Sequence, residues 1–107
     1  MANTFKNALA RNVGTSATTV YTAPASKNSI CIELDLCNTT SSGVTADVYI
    51  TSSANNYYLI KSAPVPVGGS LQVIAGQKIV LSNGDALKVV SSVASSIDVV
   101  GAILEDV

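Results

Sequence analysis

The second half of the chain consists of short apolar runs separated by residues that are typical of turns. Gly68–Ser70 precedes the first run, and Asn83-Gly84 separates two later ones. Asn-Gly between stretches rich in β-formers is the strongest short-range signal for a hairpin, because both residues tolerate positive φ. The pattern therefore predicts a domain built from β-strands, with a tight hairpin between Ile79–Leu81 and Leu87–Val90.

Two segments in the first half alternate strictly between apolar and other residues, as a strand with one buried face does. Ser29–Cys37 carries Ile or Leu at every even position and Cys, Glu or Asp at the odd positions after Ser29, and Val44–Thr51 repeats this pattern. We expect the two strands to pair as an antiparallel hairpin. The predicted core residues are Ile30, Ile32, Leu34, Leu36, Val48, Ile50, Leu81, Leu87 and Val89.

The last predicted strand, Ile97–Glu105, is apolar on both of its faces. One face carries Ile97, Val99 and Ile103, and the other carries Val100, Ala102 and Leu104. A strand of this kind is usually covered on both sides. Since the core can cover only one face, Val100, Ala102 and Leu104 are candidates for a contact with another subunit.

Further strands are predicted at Thr18–Thr22, Asn56–Lys61 and Leu71–Ile74, which brings the total to about eight with turn signals roughly every eight to twelve residues. This spacing predicts an all-β fold, an antiparallel β-sandwich, with the jelly roll as one candidate topology. The 107 residues fit a single domain spanning residues 1–107. Residues 1–16 are poor in strong strand formers, which leaves an extended N-terminal arm and a strand as alternatives.

Composition argues for a structural rather than an enzymatic protein. Charged residues make up 12% and hydrophobic residues 48% of the chain, so the surface is either rich in Ser and Thr or partly buried against partners. The net charge of −1, with six scattered basic residues, gives no field that would attract nucleic acid. The chain has no histidine, which removes the usual Ser-His and Cys-His nucleophiles. We predict no enzymatic activity and no cofactor.

The cysteines and the N-terminal segment indicate synthesis in a reducing compartment. Cys31 and Cys37 lie on one predicted strand, roughly 20 Å apart at about 3.3 Å per residue, which is too far for a disulfide between them. Met1–Arg11 lacks the apolar stretch and cleavage site of a secretory leader, and no segment reaches the roughly 20 apolar residues that span a bilayer. We therefore expect a cytosolic product without membrane contact.

Two side-chain groups are candidates for binding. Glu33, Asp35 and Asp47 could form a carboxylate cluster for Ca²⁺ or a glycosidase-like acid pair. The chain lacks a calcium-loop motif, so a solvated or interface face is the favoured interpretation and no metal site is predicted.

Tyrosines form the second group. Tyr49, Tyr57 and Tyr58 could offer flat apolar rings with polar tips to a sugar. Ordinary half-buried strand tyrosines are the favoured alternative, and glycan contact is retained as the second hypothesis.

Segments spread over nearly the whole chain resemble small virion structural proteins of tailed bacteriophages, particularly cyanophages and other marine phages. The segments are Thr18–Ala25, Cys37-Asn38, Tyr57–Leu59, Pro64–Leu71, Lys78–Leu81, Gly84–Val89 and Ile103–Glu105. The resemblance implies a β-sandwich that catalyses nothing and serves as a capsid decoration (cement) protein or as a tail- or fibre-associated component.

The same resemblance implies partners and a location. It implies a homo-oligomer, a trimer or a dimer, bound to the major capsid protein in a virion assembled in the cytoplasm of a bacterial host. A glycan-binding module of the tail, fibre or baseplate is the alternative, and it would use the three tyrosines.

Overall fold

The computed structural model describes residues 4–105, apart from the side chains of residues 76 and 77. Within this range the chain forms eight strands, and no helix is long and apolar enough to cross a membrane. The strands are β1 (Thr4–Val13), β2 (Thr18–Thr22), β3 (Ser29–Asn38), β4 (Val44–Ser52), β5 (Asn55–Val65), β6 (Ser70–Leu81), β7 (Ala86–Ser91) and β8 (Ile97–Glu105).

The strands form two four-stranded antiparallel sheets that pack as a sandwich. Sheet A has the order β1-β8-β3-β6, and sheet B has the order β2-β7-β4-β5. The pairs β1·β8, β2·β7, β3·β6 and β4·β5 are those of one long antiparallel ribbon folded over, with successive pairs alternating between the sheets. This is the jelly-roll arrangement. The predicted all-β sandwich is confirmed.

Both predicted hairpins are wrong, because the chain usually crosses to the other sheet at a turn. β3 and β4 lie in different sheets, as do β6 and β7, and among the described strands only β4 and β5 are consecutive and paired. At Asn83-Gly84 the amide of Asp85 donates to the carbonyl of Ser82 at 2.9 Å, and Gly84 has φ 83°. In this four-residue turn only the third residue, Gly84, has a positive φ, which is the pattern of a type II turn. A type I′ hairpin turn would need a positive φ at both central residues.

The core largely follows the prediction, and the exceptions lie at one end of β3. Six predicted core residues are fully buried, namely Leu34, Leu36, Val48, Leu81, Leu87 and Val89. Ile50 is half-buried against them. Ile30 and Ile32 were predicted wrongly, since neither belongs to the core, and Cys31 is buried instead. A β-bulge between Cys31 and Glu33 adds one residue and reverses which positions face inward.

The N-terminal segment is a strand at the edge of sheet A. β1 pairs with β8 from Thr4 opposite Glu105 to Val13 opposite Ile97. The arm alternative is therefore wrong for residues 4–13, and residues 1–3 lie outside the described range. Within β1, Ala8 and Val13 are buried and the remaining side chains are exposed or half-buried. Because so few of its side chains are buried, the segment does not need the alternation of apolar and polar residues that marks a strand in the sequence.

Candidate subunit interface

The three residues predicted to contact another subunit lie together on the outer side of sheet A. β8 is a central strand of this sheet, and its odd-numbered residues are buried in the sandwich. Its even-numbered side chains point outward, so Val100, Ala102 and Leu104 follow one another along the outer surface. Val100 is 55% exposed, while the other two are half-buried.

Strand register extends this apolar surface across the whole sheet. Leu104 lies opposite Phe5 on β1 and opposite Ile30 on β3, and Ile30 lies opposite Val80 on β6. These four residues, here called the apolar row, cross all four strands of sheet A. Phe5 is 76% and Val80 is 61% exposed. An exposed apolar row of this length is unusual on a monomer surface and is typical of an interaction site.

A second apolar pair lies further along β1 and β8, separated from the row by Asn7 and Ala102, and charged residues lie beyond it. Leu9 on β1 is exposed and lies opposite Val100. Further along the same strands, Arg11 and Asp98 line a shallow depression with these two side chains. The outer face of sheet A is thus mainly apolar at the Leu104 end, where Lys78 is the charged neighbour of Val80 on β6, and charged at the Asp98 end.

An acidic pair occupies the middle of this face. Glu33 lies between Ala102 on β8 and Ala75 on β6, and Asp35 lies between Val100 and Gln72 on the same two strands. A hydrogen bond with Asp35, together with its negative charge, raises the pKa of Glu33 above its ordinary value. One Asp35 carboxyl oxygen is buried without a hydrogen-bond partner. The negative charge of Asp35 therefore favours the protonated form of Glu33.

The third predicted acid is far from this pair. Asp47 lies on β4 in sheet B, where Lys61 approaches its carboxylate at 3.5 Å and the Ser62 amide donates to it at 2.6 Å. Across the part of the chain that the structure describes, no group of three or more Cys, Asp or Glu residues is placed to hold a metal ion.

The structure brings two of the three candidate tyrosines together, on the outer side of sheet B. The rings of Tyr49 and Tyr58 have centroids 4.9 Å apart and are tilted by 41°. The Lys61 ammonium lies 4.7 Å from the centre of the Tyr58 ring. Tyr57 lies opposite Ile50, whose side chain packs against the core, so Tyr57 points to the other side of the sheet. Any ring surface offered to a sugar on this face consists of Tyr58 with Tyr49 behind it.

A polar network that the sequence did not predict joins the two sheets at one end of the sandwich. Tyr21 on β2 donates a short hydrogen bond to Glu105 on β8, and its hydroxyl lies 2.8 Å from the Ser29 hydroxyl on β3. Lys6 forms an ion pair with Glu105 at 2.9 Å. The only signal in the sequence was that Glu105 falls on the same face of β8 as Ile97, Val99 and Ile103, which is the face that points into the sandwich. This network connects the two sheets.

The pKa values of this network follow from its contacts. Burial and the hydrogen bond to Glu105 raise the pKa of Tyr21 to about 12. Hydrogen bonds from Tyr21 and Lys6 lower the pKa of Glu105. The carboxylate form of Glu105 and the protonated form of Tyr21 are therefore the ones that stabilise the folded sandwich.

An apolar groove that the sequence did not predict lies at the opposite end of the molecule. It has a volume of about 490 Å³ and is lined by the start of β4, the end of β5 and the β7–β8 connection. Its apolar lining residues are Val44, Pro64, Val65 and Pro66, and Ser92 is a polar member. The one feature of the sequence that pointed to this groove was the spacing of Pro64 and Pro66.

No protein-family model matches the sequence, and no curated protein matches it. Among solved structures, two chains match. One is from the structure of infectious bursal disease virus Gt strain, with 12% sequence identity and a TM-score of 0.49. The match covers 98% of this chain and 30% of that chain, so the present chain spans less than a third of it. At this level of similarity the likeness says nothing about function.

Proposed function

We propose that this chain is a structural component of a tailed-bacteriophage virion, in the role of a capsid decoration protein that adds contacts between shell subunits and catalyses nothing. The observation that carries the proposal is the apolar row on the outer face of sheet A, with Val100 and Leu9 further along the same face. A contiguous exposed apolar surface marks an interaction site in a protein whose core is already complete. The resemblance of the sequence to phage virion proteins supplies the setting, a virion assembled in the bacterial cytoplasm.

The geometry suits a role based on buried area. The outer face of sheet A is a broad surface in which apolar side chains from all four strands lie side by side. Burying such a surface contributes roughly 25 cal/mol per Å² of apolar area before the costs of association. A rigid sandwich also loses little conformational entropy on binding, so more of this contribution remains as affinity.

A protein that binds only the assembled shell stabilises the shell by mass action. The gain is about 2.7 kcal/mol per site when the free protein is at about 100 times its Kd, and it grows only logarithmically beyond that. Decoration should therefore raise the temperature at which particles release DNA, and the shift should level off as sites fill.

The test uses particles assembled without this chain. We expect them to package DNA and to release it at a lower temperature than complete particles, and added purified protein should restore the release temperature. Val100→Asp should fold and fail to restore it, because a charge in the contact would be desolvated. Val93→Asp is the matched control, since Val93 is also exposed but lies in the β7–β8 connection. Equal heat stability with and without the chain would contradict the decoration role.

A glycan-binding role at the tail or fibre is the alternative, and one observation favours it. Tyr58 is exposed beside Tyr49, with the Lys61 ammonium above its ring. Stacking on such a ring is a common way to hold a sugar. If this role holds, particles carrying Tyr58→Ala should adsorb poorly to host cells and keep their heat stability. Tyr57→Ala is the control, because Tyr57 points to the other side of the sheet.

A further inference from the structure

We propose that the outer face of sheet A binds a second copy of this chain in a symmetric face-to-face dimer, whose two-fold axis runs parallel to the strands between β8 and β3. The inference rests on the proposed role of this face as a subunit contact, and it adds the partner and the arrangement. In such an isologous contact both copies use the same patch, so the patch must be complementary to itself.

The apolar row meets this requirement. An axis parallel to the strands reverses the strand order and keeps the position along each strand. β8 of one copy then lies over β3 of the other, and β1 lies over β6. Leu104 faces Ile30 of the second copy, and Phe5 faces Val80 of the second copy. Every member of the row therefore meets an apolar side chain.

The partners of the apolar row and of the acidic pair favour this axis over one that runs across the strands. A two-fold axis across the strands would keep the strand order and reverse the position along each strand. It would lay Glu33 directly over Asp35 of the second copy, so that like charges meet head on. It would also lay the apolar row over the charged end that contains Asp98. Like charges that face each other in an interface disfavour the arrangement strongly. With the axis parallel to the strands, Glu33 and Asp35 face Ala102 and Val100 of the second copy, and the acidic pairs of the two copies lie side by side across the axis.

The available area is sufficient for a weak dimer. Four strands at about 4.8 Å spacing, each about ten residues long at about 3.3 Å per residue, present a face of roughly 600 Å² per copy. Two such faces bury roughly 1,200 Å², which is the lower end of the range for specific complexes. A contact of this size depends on each of its central side chains, so single substitutions should change its affinity measurably.

The acidic pair makes the contact depend on pH. On the strands of its own copy, Glu33 and Asp35 are flanked by Ala75, Gln72, Val100 and Ala102, none of which is a cation. The charged residues that come next along those strands are Lys78 on β6 and Asp98 on β8. The second copy places Ala102 and Val100 over the pair, and its own Glu33 and Asp35 lie one strand spacing away across the axis, so the contact brings four carboxyl groups near one another. Desolvation disfavours the charged form of a carboxyl group, so the dimer binds protons and tightens as the pH falls.

Analytical ultracentrifugation of the purified chain tests the contact. We expect a dimer whose Kd is lower at pH 5 than at pH 8 by at least about tenfold, the effect of one unit of pKa change. Leu104→Asp should be monomeric at both pH values, and Val93→Asp should behave like the wild type. Glu33→Gln removes one negative charge, so it should dimerise more tightly at pH 8 and lose most of the pH dependence. A wild-type chain that stays monomeric at both pH values, or a Leu104→Asp variant that dimerises normally, would overturn the proposal.

Cross-linking between two variants, each with one accessible cysteine beside the buried Cys31, tests the orientation. In a Cys37→Ser background, Phe5→Cys and Val80→Cys are joined by a thiol reagent that spans about 10 Å, the spacing of packed sheets. A mixture of the two variants should give covalent dimers, because position 5 faces position 80 of the second copy. Either variant alone should give few, because like positions lie at opposite edges of the face. Equal cross-linking in the separate variants would overturn the orientation.

These experiments are independent of the particle assay. If the chain is monomeric while Val100→Asp still fails to protect particles, the face contacts a shell protein and only the dimer proposal fails. If the dimer forms and particles are equally stable without the chain, the dimer stands and the decoration role fails.

Discussion

Gly84 occupies a position at which the backbone, and not the surrounding space, restricts the side chain. Its φ is 83°, and a Cβ atom added there would meet no heavy atom within 4 Å. A β-branched residue resists positive φ, so Gly84→Val should lower the free energy of unfolding by about 1–2 kcal/mol. Gly43→Val is the matched control, because a Cβ there is equally unobstructed and its φ is not in the left-handed region. Urea titrations should show a lower midpoint for the first variant than for the control, and equal midpoints would contradict this account of the turn.

The hydroxyl of Tyr21 links stability to pH through Glu105. A lowered pKa in the folded state means that Glu105 stabilises the fold above its ordinary pKa, and this contribution is lost as the pH falls through the folded value. Tyr21→Phe removes the hydrogen bond that is the largest cause of the shift. We expect the variant to be less stable at pH 7 and to lose less stability on acidification. Urea midpoints measured between pH 7 and pH 3 check both effects.

Tyr21→Phe should also change how stability depends on pH in alkaline solution. The pKa of Tyr21 is raised from 10.0 to about 12, so its contribution is present below pH 10 and is lost as the pH rises towards 12. Tyr21→Phe should therefore flatten the stability profile in this range. Ser29→Ala serves as the control, because it removes only the neighbouring hydroxyl and leaves the Tyr21–Glu105 hydrogen bond in place. A variant profile that falls as steeply as the wild type would contradict the assignment to Tyr21.

At the level of strands, the bulge in β3 places the two cysteines in different environments. Uninterrupted alternation would put Cys31 and Cys37 on the same face, whereas the structure buries Cys31 and leaves Cys37 half-buried on the outer side. Burial also raises the pKa of Cys31 to about 11, which leaves little of the reactive thiolate at neutral pH. With Cys31→Ser and Cys37→Ser as single-thiol variants, a thiol reagent should label Cys37 in the folded protein and Cys31 only on unfolding. Similar rates for both thiols would show that the bulge is misplaced.

The difference between local and long-range information explains which strand features could be predicted. The alternation of residue types identified the inward side of β4 and, beyond the bulge, of β3. The run of apolar residues gave the bounds of β8. Both patterns depend only on residues that are neighbours in the sequence. The turn at Asn83-Gly84 was also visible, and its glycine has the expected positive φ. Its neighbours, however, pair with strands far away in sequence, so the turn could not reveal that the chain changes sheets there. The bulge left no mark on the alternating pattern of Ser29–Cys37.

The candidate interface also contains residues that local sequence patterns could identify and residues that only long-range strand pairing reveals. Val100, Ala102 and Leu104 were identified because one strand was apolar on both faces, which is a local pattern. Phe5 and Val80 belong to the same surface only through the pairing of β1 with β8 and of β3 with β6. Ile30 was assigned to the core because the bulge was not recognised. The outer face of sheet A could therefore be predicted in part, and its extent required the register.

Across the whole molecule, the two outer faces of the sandwich differ in how much large apolar surface they expose. Sheet A presents the apolar row, and sheet B presents Lys88, Asp47 and Lys61 around its tyrosine pair. A lattice of copies joined through both faces would require apolar surface on both, so we expect the chain to self-associate through sheet A and to form a closed assembly rather than an extended one.

This difference between the faces gives a prediction for the intact protein in solution. Association that stabilises the folded state makes Tm depend on concentration, so the Tm of the wild-type chain should rise with protein concentration. Val100→Asp should remain folded and have a Tm that does not change with concentration, because the charge lies in the contact and not in the core. Lys88→Glu is the matched control on sheet B and should keep the wild-type dependence. Scanning calorimetry over about a hundredfold range of concentration would show the difference, since a hundredfold increase in a stabilising ligand well above its Kd adds about 2.7 kcal/mol. A wild-type Tm that is constant over this range would mean that the apolar face stays exposed in the free protein and is covered only in a larger assembly.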